Sequence, residues 1–118
     1  MRSKLADKRP STNLTVHHQL ASGSEIKVQV TVGYDAQWRA KEVFCASFKA
    51  GSDNHALVMD ACILLSRLLQ YGDSPADLVK SMCAPPSLIG SIAAAIMREE
   101  GEQARLVNET QETHAGHP

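Results

Sequence analysis

Five places in the chain hold residue types that could do chemistry. Lys49-Ala50-Gly51-Ser52 leads from an apolar run into a helix start. Free backbone N–H groups at a helix N-terminus, with a lysine ammonium nearby, can hold a phosphate. The same residues also suit a glycine-assisted turn in which Ser52 caps the helix. A phosphate loop carries more glycines and a lysine inside the loop, and Asp53 would repel an anion here. Lys49, Gly51 and Ser52 therefore stand as binding candidates, with the plain turn as the favoured use.

Cys83 precedes a proline pair near another helix start, a place where a thiolate can be stabilised. No histidine neighbours it in sequence to act as a base, so a boundary thiol is favoured over a small thiol-dependent enzyme using Cys83. Cys45 and Cys62 fall inside apolar segments and read as core residues. The three cysteines lie far apart and include no C-x-x-C pair, which fits neither a disulfide framework nor a structural zinc site. His17 and His18, as neighbours on a strand, point to opposite faces and do not share a metal ion. His55, beside Asp53 in a first helical turn, reads as a solvated residue. Trp38 is either an exposed contact residue, as tryptophan often is at binding hot spots, or a ring packed over a sheet edge. No catalytic residue and no metal ligand is assigned.

The elements that must position these residues follow from periodicity. Ile26, Val28, Val30 and Val32 alternate with Lys27, Gln29 and Thr31, the mark of a strand with one buried face. Leu14 to Leu20 alternates less cleanly ahead of it, and Ala21-Ser22-Gly23-Ser24 supplies a hairpin turn. Gly33-Tyr34-Asp35 signals a second turn, after which residues 42 to 49 form a third antiparallel strand.

Ser52 then caps a helix running to about Tyr71, with Gly72 at its C′ position. Leu57, Val58, Ala61, Cys62, Leu64, Leu65, Leu68 and Leu69 cover more of this helix than a narrow stripe. It is expected to be the central, most buried helix. The excess apolar surface is covered either by the later helices, which is the expectation, or by another chain. Ser74-Pro75-Ala76-Asp77 starts a short second helix that runs to about Met82. Ala84-Pro85-Pro86 breaks it, and Ser87 caps a third helix through about Glu100.

The resulting expectation is an α+β fold, a three-stranded antiparallel sheet followed by three helices packed on one face. Residues 1–12 read as a flexible basic arm, 13–100 as the single domain that 118 residues allow, and 101–118 as a disordered acidic tail. A net charge of −1 lacks the basic excess of a nucleic-acid or anionic-membrane binder, and 4% aromatic content offers few stacking platforms. No apolar run spans a bilayer and the start lacks a secretory pattern, so the cytoplasm is the expected address.

Lys41-Glu42-Val43-Phe44, Lys49-Ala50-Gly51-Ser52 and Leu68-Leu69-Gln70-Tyr71-Gly72, in this order and spacing, resemble the TSCPD domain. That domain follows the catalytic barrel of adenosylcobalamin-dependent ribonucleotide reductases and also occurs as short stand-alone proteins. Arg9-Pro10 ahead of the first strand and Ser66 ahead of the leucine block are similar too, so the resemblance spans roughly residues 8 to 97. The tetrapeptide that names the family is absent, and Cys83-Ala84-Pro85-Pro86-Ser87 offers only a shortened pattern. The resemblance implies an accessory or binding module linked to deoxyribonucleotide supply, not itself catalytic. Its partner would be a ribonucleotide reductase, with adenosylcobalamin entering only through that partner, or a second copy of the chain. A dimeric interaction adaptor unrelated to nucleotide reduction is the rival reading.

Overall fold

Alternating valines and a long leucine-rich helix demand a sheet with one dry face, and the computed structural model shows how that face is closed. The structure describes residues 10–46 and 52–115, with side chains described up to residue 109. Strand β1 (Ser11–Gln19), β2 (Glu25–Tyr34) and β3 (Ala40–Cys45) form one antiparallel sheet in the order β1-β2-β3. Helices α1 (Asp53–Gln70), α2 (Pro75–Lys80) and α3 (Leu88–Ala115) follow.

Register sets which side chains meet. Val30 lies opposite Cys45, Val32 opposite Val43 and Val16 opposite Val28, so one face collects all six. Helix α1 packs against β3, α3 crosses β1, and α2 rests on α3. The core between them takes Val58, Cys62, Leu65 and Leu69 from α1, Leu78 from α2, and Ile92 and Ile96 from α3. β1 begins at Ser11, inside the segment expected to be a flexible arm up to residue 12. Its first residues pair with the long β2, Ser11 opposite Gly33 and Thr12 opposite Val32, which satisfies backbone groups that an arm would leave to water.

β3 is an edge strand, and α1 closes its outer side with polar side chains. The Ser66 hydroxyl accepts from the Val43 N–H (2.9 Å) and donates to the Cys62 carbonyl (2.8 Å). Gln70 Nε2 donates to the Lys41 carbonyl (3.0 Å), and Lys41 Nζ donates to the Leu69 carbonyl (2.9 Å). Glu100 of α3 accepts from the Ala40 N–H (2.7 Å). Covered in this way, the strand offers no template for another chain along that stretch.

The helix ends follow the local chemistry. Ser52 Oγ accepts from the His55 N–H at 3.0 Å, and Gly72 leaves α1 at φ +117°, where a side chain would be strained. Ser74 and Asp77 exchange side-chain-to-backbone hydrogen bonds in a capping box at α2. Those bonds hold the Asp77 carboxyl below its usual range. Ser87 Oγ accepts from the Gly90 N–H (3.2 Å) at the start of α3.

Two further expectations change. Helix α3 does not stop near Glu100 but continues to Ala115, through the segment expected to be a disordered tail. Its polar residues are spaced for helix pairing: Gln103 donates to Glu99, and Arg105 pairs with Glu102 and Glu109 at i, i+3 and i, i+4. The later helices also fail to cover all of α1. Leu57 (68%), Leu64 (61%), Leu68 (44%) and Tyr71 (58%) remain exposed, because α2 packs on α3 rather than over α1.

Candidate functional site

Among the described residues, the chemical candidates from the sequence do not converge. Lys49 and Gly51 lie outside the described residues. Ser52 sits where expected, but its hydroxyl is engaged as the cap of α1, and Asp53 places a carboxylate in the same first turn. Cys83 is exposed, whereas Cys45 and Cys62 are buried as expected. Burial, reinforced by the neighbouring Cys45, pushes the Cys62 thiol up to about 11, the opposite of a thiolate nucleophile.

The two adjacent histidines part as the strand requires. His17 is exposed beside Glu25, with Nδ1 2.8 Å from the carboxylate, while His18 is buried with Nδ1 2.7 Å from Ser91 Oγ on α3. Among the described residues, no group of three or more histidine, cysteine or acidic side chains is placed to hold a metal. Among the same residues, no helix is long and apolar enough to cross a membrane.

Trp38 takes the packed alternative. Asp35 Oδ1 accepts from the N–H groups of Gln37 and Arg39, which draws the β2–β3 turn tight and leaves Trp38 at φ +62°. A left-handed tryptophan costs about 1 to 2 kcal/mol. The compensation is contact: its ring lies 5.6 Å from that of Tyr34, against the core. Beside it opens a shallow hollow bounded by Arg39, Glu100 and Ala104.

The surface that sequence reasoning placed wrongly is the outer side of α1. Leu57, Ala61, Leu64, Leu68 and Tyr71 are separated by alternating steps of four and three residues, the spacing of a helix seam. Val58, Cys62, Leu65 and Leu69 repeat it one residue later and face the core. One helix thus carries two adjacent apolar stripes, of which the fold covers only the second. The first runs into an apolar groove of about 300 Å³ between Leu20, Ile26, Leu57, Leu88 and Ile89. The doubled spacing was visible in the sequence; which stripe the fold covers was not.

No protein-family model, no curated protein and no solved structure matches this chain.

Proposed function

We propose that this protein is a non-catalytic accessory module that engages another protein through the exposed stripe of α1. The observation that carries the reading is the run of Leu57, Leu64, Leu68 and Tyr71, open to solvent along a helix whose other side is fully packed. Together these residues expose on the order of 400 to 500 Å² of surface, within the size range of the largest apolar patch on a typical monomer, a patch that is often functional. Stripes of this size, broken by few charges, mark protein interfaces more often than small-molecule sites. The sequence blocks similar to the TSCPD domain supply the setting, deoxyribonucleotide supply, and a ribonucleotide reductase as the protein served.

Co-purification from the source cell tests this. The full chain is compared with Leu64→Arg, a change at an exposed position that leaves the core untouched. A ribonucleotide reductase recovered with the natural chain and lost with the variant supports the reading. Equal recovery with both, or no reductase with either, overturns it.

A further inference from the structure

We infer that, until a partner protein takes it, the exposed α1 stripe is covered by a second copy of this chain, lying antiparallel across a two-fold axis near Leu64. The inference rests on reading α1 as the working surface and names what covers it. Three features of the helix point to a like partner.

The first is spacing. A four-three alternation matches a helix partner crossing at a shallow angle, with knobs from one helix entering holes in the other. Sheets and irregular segments have no such repeat. Helix α1 is 18 residues long, so the seam spans most of its length of roughly 27 Å. Ala61, small and set within the seam, lets a second helix axis approach closely.

The second is charge. Asp60 and Arg67 lie seven residues apart on the same flank of the seam, each one residue before a seam position. Neither has an ion-pair partner among the described residues. In an antiparallel pair these flanking positions face their own counterparts, so Asp60 meets the partner's Arg67 and Arg67 meets the partner's Asp60. A parallel pair would set them against the other flank, where Val58 and Leu65 are buried in the protein's own core. Only the antiparallel arrangement joins both charges, and the same axis places Leu57 beside the partner's Tyr71.

The third is area. A two-fold contact uses the stripe twice and buries at most about 800 to 1,000 Å² in all, at or just under the size of a specific interface. This predicts a reversible dimer of modest affinity rather than an obligate one.

Sedimentation equilibrium of the full chain from about 1 to 100 μM reads the outcome directly. The expected mass rises with concentration from the 12.8 kDa chain toward twice that value. Leu64→Arg should stay monomeric, with circular dichroism reporting an unchanged fold. Asp60→Arg and Arg67→Asp should each weaken self-association about tenfold, and their equimolar mixture should recover it, since the opposite charges then face each other in both pairs. A natural chain that is monomeric throughout overturns the inference. So does a dimer indifferent to Leu64→Arg, or charge variants whose mixture recovers nothing. A monomeric natural chain that still recovers a reductase through Leu64 leaves the functional reading standing and removes only the dimer. A dimer that brings down no reductase does the reverse.

Discussion

The outer face of the sheet and the outer face of α1 both meet solvent, and they are finished for it differently. On the sheet, polar side chains pair across strands: Thr15 with Gln29, Thr31 with Asn13, and His17 with Glu25. Phe44 is the apolar exception among its strand residues. On α1 the exposed stripe is built from Leu57, Leu64 and Leu68, with no polar ladder across it to hydrate them. A face whose donors and acceptors satisfy one another gains little from a partner, whereas an apolar face gains whatever area a partner removes from water. The contrast separates the surface that ends the molecule from the surface that continues it.

The comparison breaks first on the covered side of α1. Leu69 is fully buried, and Leu69→Ala should cost about 2 to 5 kcal/mol in chemical denaturation, through lost transfer energy and the cavity left behind. A cost well under 1 kcal/mol would mean that the inner stripe is not what holds the helix to the sheet.

Ser66→Ala removes the hydroxyl that closes the edge of β3 and leaves the Val43 N–H buried without its acceptor. A loss of about 1 to 3 kcal/mol is expected. Faster amide exchange at Val43 than at Val32 would localise it, and an unchanged exchange rate there would contradict the role given to Ser66.

Buried Cys62 sharpens the same boundary through pH. Its thiol ordinarily ionises near 9 and is pushed up to about 11 in the fold, chiefly by desolvation. Above the ordinary value the unfolded chain gives up this proton while the folded one keeps it. Stability should therefore fall as pH rises from about 9 to about 11, by about 1 to 2 kcal/mol from this group, and be indifferent to it at lower pH. Cys62→Ala should flatten that limb, leaving the part due to Tyr34, whose hydroxyl burial also pushes up. An identical alkaline slope in the variant would remove the thiol from the account.

The smallest effect belongs to the finished face. Thr15→Ala, on the exposed sheet ladder, should change stability by no more than about 0.5 kcal/mol and leave association unaltered. A measured change in oligomeric state would show that the sheet face, too, is an interface.

The sheet and the starts of the helices were legible in the sequence because each rests on local chemistry. Val28-Gln29-Val30-Thr31-Val32 alternates strictly, and the Ser74 and Asp77 pair caps α2 as its spacing requires. The end of α3 was not legible from composition, since Glu102, Arg105 and Glu109 read as solvated polar residues until their helical spacing is considered. The burial of α1 was misread for a different reason. Periodicity shows which residues share a stripe, but how many stripes are covered depends on where α2 and α3 come to rest. The edge closure by Ser66 and Gln70 is likewise tertiary, because a polar residue within a helix carries no mark of the strand it will meet. Of the binding candidates, Ser52 caps α1 and Trp38 packs on Tyr34, placements that the residue types alone do not announce.

The central claim is that α1 has one face for the fold and one for a partner, and Leu64 and Leu65 test it as neighbours, 61% and 4% exposed. Chemical denaturation of Leu64→Ala and Leu65→Ala at two protein concentrations about a hundredfold apart separates the faces. Leu65→Ala should lose about 2 to 5 kcal/mol at both concentrations. Leu64→Ala should match the natural chain within about 0.5 kcal/mol when dilute and lose the stabilisation that the natural chain gains when concentrated. Equal losses for the two variants, or a midpoint that does not move with the concentration of the natural chain, would contradict the account.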